Sequence, residues 1–287
     1  MRNIFVFSFL CLLATSAHSQ NFHFAARFGM ANYQGDLKKN SFSVSQPGLM
    51  GSIGARYDLT ERITARSYLS FGRLRADDKK GTDVMKQRNL NFKSNLWEFE
   101  LSAQYSIFSL NEKWWSPYVF AGAGFYHFKP YTEVEGEDKT FLKPLSTEGQ
   151  GFLADVKEYK LTQFAVPVGV GAQYALNEDM RIGLELGYRK IFTDYLDDVS
   201  SNYADQTALL NARGQTAVDF AWRGDEVGAG PYPAAGTSRG NPANNDGYMF
   251  ISLTYTVRFY FDKYKEIAGI PIGSGKSKKV GCPSTRY

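Results

Sequence analysis

Residues 96–106 read LWEFELSAQYS, and this stretch decides the fold. Bulky or apolar side chains occupy every second position from Trp97 to Tyr105, while Glu98, Glu100 and smaller polar residues fill the positions between them. A period of two puts alternate side chains on opposite faces of a β-strand. The segment therefore predicts a strand with one apolar face and one polar face.

Seven further segments are predicted strands, and six of them alternate in the same way. They are residues 21–31, 48–57, 63–74, 118–128, 161–174, 180–192 and 247–261. Segment 118–128 is apolar and glycine-rich on both faces, so the pattern does not orient it. Pro167 lacks the N–H that a ladder requires; it is tolerable at a bulge, and it marks its strand as irregular.

The connections between these segments alternate in length. Long polar links follow the first, third, fifth and seventh strands, and shorter turns follow the second, fourth and sixth. Outer-membrane barrels pair short periplasmic turns with long extracellular loops. We therefore predict an all-β fold: an eight-stranded antiparallel transmembrane up-and-down β-barrel with long extracellular loops, spanning residues 20–261 and located in the cell outer membrane.

The direction of the apolar face separates a membrane barrel from a soluble one, which would turn that face inward. Aromatic residues abut the short turns, as expected for a periplasmic girdle at the membrane surface. These residues are Tyr57, Tyr105, Tyr118 and Tyr174, with Trp114 and Trp115 beside them. We therefore expect the apolar face to contact outer-membrane lipid.

The polar face mixes small residues with charges of both signs. Its predicted lumen charge network comprises Arg27, Arg56, Arg66, Glu98, Glu100, Arg181, Glu185 and Arg189. These charges could line a pore or form internal salt bridges. Eight strands enclose a space that side chains can fill, which favours salt bridges over a sizeable channel.

The two ends of the chain differ from the barrel in composition. Residues 1–19 have a basic Arg2, a short apolar run and a small-x-small site before Gln20, which predicts a secretory signal peptide. Residues 262–287 form a predicted periplasmic tail that holds six of the 33 basic and two of the 29 acidic residues. The basic excess therefore lies in the tail, and no nucleic-acid surface is expected.

The tail has two interpretations, a docking peptide for periplasmic proteins or a disordered extension. The candidate docking residues are Lys276, Lys278, Lys279, Cys282 and Tyr287. Cys282 is the one cysteine left after signal cleavage, so it could pair only with a partner's thiol.

Motifs for catalysis and cofactor binding are weak. Asp194, Asp197 and Asp198 could hold Ca²⁺ or anchor a loop by capping turn backbone, and their spacing differs from an EF-hand. His23 and His127 have no serine at a spacing that suggests a nucleophile and base. We predict a non-enzymatic protein with no cofactor and no metal.

Three segments carry a family resemblance. Residues 29–37 (GMANYQGDL), 163–174 (QFAVPVGVGAQY) and 187–200 (GYRKIFTDYLDDVS) resemble the PorG-type outer-membrane barrels of the Bacteroidota. The resemblance covers essentially the whole mature chain, and residues 187–200 are its most specific part. It implies an accessory, non-catalytic role in the type IX secretion and gliding machinery, with contacts to periplasmic or outer-membrane components. The alternative is a general small barrel that binds ligands or stabilises the membrane.

Overall fold

The computed structural model describes residues 22–38, 44–134 and 138–260. Within them the strands are β1 (Phe22–Gln34), β2 (Gly48–Asp58), β3 (Ile63–Asp77), β4 (Asn91–Ser106), β5 (Trp115–Thr132), β6 (Thr140–Phe141), β7 (Thr162–Ala175), β8 (Met180–Ile191) and β9 (Gly247–Arg258). The predicted signal peptide 1–19 and tail 262–287 lie outside the described residues.

Eight of these strands close into an antiparallel barrel. Each long strand pairs with the next along the chain, and β1 pairs with β9 to complete the ring. The two-residue β6 adds to the end of β5 outside the ring. The predicted eight-stranded up-and-down barrel is confirmed.

The long loops and the short turns lie at opposite ends of the barrel. We call the end that holds residues 59–62, 107–114 and 176–179 the turn rim, and the opposite end the loop rim. β1 begins and β9 ends at the turn rim. By the general pattern of outer-membrane barrels, the loop rim faces the outside.

The apolar face of each strand points away from the barrel axis. Phe28, Leu49 and Ile53 are 64%, 67% and 69% exposed, whereas Arg27 and Glu100 on the polar face are buried. An exposed apolar belt around a buried polar interior inverts the pattern of a soluble barrel, and hydrocarbon solvates such a belt.

Strand β5 resolves the orientation that its sequence left open, and it corrects one prediction. Tyr118 is 1% exposed and points into the lumen, so it is not part of an aromatic girdle. Its neighbours across the ladder explain its position. Tyr118 lies opposite Gly171 and Phe120 lies opposite Gly169, where a Cβ atom would overlap the rings. Glycine on β7 therefore makes room for aromatic rings on β5.

One further expectation is wrong in detail. Asp58 ends β2 and points into the lumen, instead of belonging to the following turn. The strand is irregular at Pro167, as expected, but it has no bulge, because the β5–β7 register is the same on both sides of the proline. The ladder is interrupted there because proline has no N–H, and Pro167 still pairs opposite Arg189 on β8.

The interior changes from polar to apolar near the loop rim. Inward side chains there form a hydrophobic core with residues of the loops. The core includes Ala31, Tyr33, Leu37, Met50, Leu74, Phe92, Leu96, Phe128, Leu142, Ile191, Leu196, Val199, Phe220, Tyr248 and Phe250. At the same level Arg73, Arg75 and Lys129 point outward and are exposed. The barrel wall therefore extends beyond the apolar belt and takes on the polarity of a water-soluble protein.

The loops fold over this core and contain short helices. They are α1 (Asp83–Arg88), α2 (Gln206–Arg213) and α3 (Gln215–Ala221). Asp205 caps α2 by accepting a hydrogen bond from the N–H of Ala208, and Thr82 caps α1 in the same way from Met85. No helix in the described part of the chain is long and apolar enough to cross a membrane.

Candidate functional site

The centre of the lumen holds a network of three arginines and three glutamates. Glu100 accepts hydrogen bonds from Arg189 Nη2 at 2.9 Å, from Arg27 Nη1 and Nη2 at 3.3 Å and from Ser102 Oγ at 2.7 Å. All of these side chains are buried. A carboxylate removed from water needs such donors, because its desolvation would otherwise be very costly.

Glu185 forms the second node of the network. It lies 2.9 Å from Arg27 Nη1 and 2.8 Å from Arg66 Nη2, and it accepts a 2.9 Å hydrogen bond from the hydroxyl of Tyr118. Arg27 also stacks 3.7 Å from the ring centroid of Tyr68. Stacked guanidinium groups are held in place by the ring as well as by the carboxylates.

Glu98 completes the network toward the loop rim. It pairs with Arg189 Nε at 3.2 Å and accepts a 2.5 Å hydrogen bond from the hydroxyl of Tyr248. Arg189 in turn lies 4.3 Å from the ring centroid of Phe250, in the apolar core. The charges of Arg27, Arg66 and Arg189 balance those of the three glutamates, so the network holds no net charge.

In the described residues, Arg56 and Arg181 form no ion pair with these three glutamates. Arg56 donates to the amide oxygens of Gln104 at 2.7 Å and Gln173 at 3.2 Å, and the Gln104 oxygen also accepts from Arg66 at 3.5 Å. Arg181 pairs with Asp58 at 2.9 Å, nearer the turn rim, where the His23 ring lies 3.7 Å from the same carboxylate.

Sequence reasoning missed several polar partners of these charges. They are Asp58, Tyr68, Gln104, Tyr118, Gln173 and Tyr248. The alternation already put Tyr68, Gln104 and Gln173 on the polar faces, and extending it to the strand ends would have turned Asp58 and Tyr248 inward as well. Tyr was assigned instead by its preference for membrane interfaces, which misplaced Tyr118.

The lumen has little free space through which a solute could pass. At the turn rim, the cleft beside Asp58 and Arg181 has a volume of about 20 Å³. That is room for about one water molecule, because a cavity needs roughly 10–15 Å³ to hold one. Above it, the buried side chains of the network fill the middle of the barrel. The network joins side chains from several strands across the lumen, and in the described residues it closes the middle of the barrel.

The second polar cluster closes the loop rim. The hydroxyl of Tyr33, at the end of β1, donates to two carboxylates, Asp197 at 2.5 Å and Asp246 at 3.0 Å. Asp246 also accepts from the N–H of Leu196 at 2.8 Å, and Asp197 accepts from Val199. Leu196 and Val199 are buried in the apolar core. Residues 193–200 therefore turn into the mouth of the barrel and are fastened there.

Asp198 and Glu148 tie the loops to one another. Asp198 accepts from the hydroxyls of Thr147 and Tyr159, each at 2.7 Å. Glu148 accepts from the N–H groups of Ser200 and Ser201 at 2.9 Å and pairs with Arg239 at 3.0 Å. We call residues 33–38, 142–161, 193–223 and 237–246 the cap.

Burial controls the ionisation of the cap carboxyls. It raises the pKa of Asp198 to about 6, against the opposing effect of the Arg239 guanidinium. It raises the pKa of Asp194 to about 8, with added repulsion from Asp36 and Glu148. Burial also holds the pKa of Asp197 well above its usual range. These carboxyls therefore take up protons more readily than exposed ones.

The cap carboxyls fit hydrogen-bonding roles better than metal coordination. Asp197 and Asp198 accept from hydroxyl and backbone N–H groups, as described above. In the part of the chain that the structure describes, no group of three or more His, Cys, Asp or Glu residues is arranged to hold a metal ion.

The two histidines occupy unlike surroundings. His23 is buried at the turn rim, while His127 is exposed on the outer wall with Nδ1 2.8 Å from Thr162 Oγ1. In the described residues, no carboxylate or amide side chain hydrogen-bonds to the His127 ring. A nucleophile–base pair also needs a third group that orients the base.

The candidate docking residues Lys276, Lys278, Lys279, Cys282 and Tyr287 lie outside the described residues. The chain leaves the barrel at Arg258, at the turn rim, where Arg258 lies 3.7 Å from Asp179.

Comparison with known proteins gives one family. The sequence profile described as outer membrane protein beta-barrel domain matches residues 5–223. No curated protein matches the chain significantly.

Solved structures of small outer-membrane barrels resemble this chain at low sequence identity. Neisserial surface protein A is 13% identical, with 83% of this chain and 97% of that chain covered and a TM-score of 0.41. OprG from Pseudomonas aeruginosa is 11% identical, with 84% and 98% covered and a TM-score of 0.43. A major outer membrane protein from Thermus thermophilus is 14% identical, with 83% and 99% covered and a TM-score of 0.39.

The family profile spans most of the chain, and the closed barrel with its exposed apolar belt is the structure that such a profile describes. The protein is located in the outer membrane, where its outer wall contacts lipid. This chain belongs to the outer membrane protein β-barrel domain family.

Proposed function

We propose that this barrel is a non-enzymatic, accessory component of a type IX secretion and gliding apparatus, to which it contributes a membrane anchor and a periplasmic docking tail. The observation that carries the proposal is the resemblance of residues 29–37, 163–174 and 187–200 to PorG-type barrels. The most specific of these segments includes residues 193–200, which the cap uses to close the loop rim.

The filled lumen supports a structural role over transport. Paired arginines and glutamates occupy the space that a channel would need. Eight-stranded barrels are narrow enough for their side chains to fill them. A barrel plugged in this way can still position other proteins through its rims.

The turn rim supports a role for the tail. β9 ends there, at the membrane surface that we assign to the periplasm, and residues 262–287 follow it in the sequence. The lysines of this tail favour a partner with an acidic surface.

The test is deletion of residues 262–287 in the native bacterium. We expect normal barrel assembly, loss of recovery of periplasmic secretion components with the barrel, and reduced cargo secretion. Replacing Lys276, Lys278 and Lys279 with Gln should reproduce most of the loss. The control removes exposed basic charges of the turn rim, at Arg62 and Lys113, and leaves the tail intact. Unchanged partner recovery and unchanged secretion after the deletion would reject the docking role.

The second candidate is a general small barrel that binds ligands or stabilises the membrane. A cleft on the outer wall between β1 and β3, with arginines at its edge, favours this candidate. It predicts normal secretion after removal of the whole gene, whereas the first candidate predicts reduced secretion.

A further inference from the structure

The outer wall carries an apolar cleft where the ladder contains a glycine. Gly51 lies between Phe28 on β1 and Phe71 on β3, and a Cβ built on it would have no atom within 4 Å. Leu49 and Met30 form the side of the cleft toward the loop rim. Its volume is about 610 Å³. This space faces the hydrocarbon of the membrane.

A second, polar cavity adjoins the first on the side of the loop rim. It has a volume of about 540 Å³, and Arg75 lines both cavities. The basic residues that line it outnumber the acidic ones by five to three: Arg75, Lys79, Lys80, Lys93 and Arg223 against Asp77, Glu133 and Glu226. The apolar cleft and the basic cavity thus meet at Arg75. The apolar cleft lies at the level of the hydrocarbon, and the basic cavity lies on the side of the loop rim, where the lipid headgroups are.

The basic residues here exceed the acids that neutralise them. Lys93 pairs with Glu133, but among the described residues Arg75, Lys79 and Lys80 form no ion pair. Burial, together with the positive charges of Lys80 and Arg75, lowers the pKa of the nearby Lys38 to about 8. Like charges are therefore crowded at this point, and an anion would relieve their repulsion.

Spacing along β3 sets the level of these charges. Arg73 and Arg75 follow Phe71 by two and four residues on the same outward face. At about 3.4 Å per residue, they lie roughly 7 and 14 Å from the level of Phe71. Guanidinium groups bind phosphate through paired N–H donors, and Arg73 Nε already uses a side-chain acceptor, Asn95 Oδ1, at 3.3 Å.

We propose that the two cavities bind one phosphate-bearing lipid of the outer leaflet, with an acyl chain over Gly51 and the phosphate at Arg73 and Arg75. The apolar cleft distinguishes this ligand from free phosphate, and the uncompensated basic charge distinguishes it from a zwitterionic lipid. The site would make the barrel select anionic lipid around the β1–β3 face. This inference does not depend on the secretion role.

The test measures lipid retention by the full-length barrel purified in detergent, using native mass spectrometry. The probes are diphosphorylated lipid A and phosphatidylcholine, with inorganic phosphate as competitor. The headgroup variant is Arg73→Gln with Arg75→Gln. The acyl variant is Gly51→Leu, which fills the floor of the cleft. The control is Lys129→Gln with Lys190→Gln, which removes two exposed, outward basic charges outside both cavities.

We expect the parent protein to retain lipid A in preference to phosphatidylcholine. The arginine variant should bind lipid A at least tenfold more weakly, and the control should stay within twofold of the parent. Gly51→Leu should weaken lipid A binding at least threefold. Equal retention by the arginine variant, an equal loss in the control, or no preference over phosphatidylcholine would overturn the proposal. Full displacement of lipid A by inorganic phosphate would overturn the acyl contribution. Arg73, Arg75, Lys129 and Lys190 have exposed side chains, and a heat-dependent gel shift would establish that each variant is folded.

Discussion

Replacing Glu100 with Gln should test whether the lumen charges act as one unit. Glu100 is fully buried and contacts two arginines and a serine hydroxyl, with Arg66 at 3.7 Å. Gln keeps the shape and one acceptor oxygen, but it leaves three arginines facing two glutamates. Breaking a buried ion pair on one side costs about 3–5 kcal/mol, whereas an exposed pair contributes only about 0–1 kcal/mol. Because Gln retains part of the hydrogen bonding, we expect a loss of about 3 kcal/mol in the free energy of unfolding.

The assay is urea unfolding of the barrel reconstituted in lipid vesicles, followed by tryptophan fluorescence and by gel mobility without heating. A second variant, Arg189→Met, removes a positive partner, and the double variant restores the charge balance. The double variant should be more stable than the sum of the two single losses predicts, by about 1–3 kcal/mol. Glu178→Gln, an exposed charge at the turn rim, is the control. A loss below about 1 kcal/mol for Glu100→Gln, or strict additivity, would refute a coupled network.

Three further predictions concern the cap and the wall. Tyr33→Phe leaves Asp197 and Asp246 without their shared donor, and it should speed amide exchange in residues 193–200 by an amount equivalent to about 1–3 kcal/mol, as measured by hydrogen–deuterium exchange. Burial raises the pKa of Asp198 from 3.8 to about 6, so the protonated carboxyl favours the folded cap. This contribution should be complete below pH 4 and lost as the pH rises through 6. Asp198→Asn should therefore flatten that part of the pH dependence of amide exchange in the cap, after correction for intrinsic exchange rates. Gly171→Val puts a side chain where a Cβ would lie 2.3 Å from the Tyr118 ring, so it should lower the urea midpoint by an amount equivalent to about 1–3 kcal/mol, and an unchanged midpoint would contradict the packing.

The barrel could be predicted from the sequence because its signal is local. Alternation along residues 96–106 and the lengths of the connections both follow from the period of a strand and the asymmetry of a membrane. Burial of Arg27 and Glu185 could be predicted for the same reason, since each occupies a polar position between apolar ones.

The pairing of charges and the cap could not be predicted, because they depend on residues far apart in the chain. Arg27 meets Glu185 across 158 positions, and Tyr33 meets Asp246 across 213. Periodicity says which face a side chain takes but not which neighbour it finds across the lumen. The region between β8 and β9 is rich in Gly, Asn and Pro, a composition typical of a loop. The helix that Asp205 caps was therefore not predicted. Several strands extend further toward the loop rim than predicted. Beyond the apolar belt the alternation continues, but the polar side chains point outward and the apolar ones point inward.

The pairing of β1 with β9 has a consequence for assembly in the membrane. The ring cannot close until the last strand has been placed, and the chain between β8 and β9 must cross the bilayer before that happens. That segment carries Leu196, Val199 and Phe220 of the cap core, so these side chains cross before the mouth that buries them exists. Contacts this distant in sequence form late and slowly. The interval between insertion and closure is therefore when the apolar cap residues are exposed to aggregation, and when a periplasmic chaperone would matter most to this barrel.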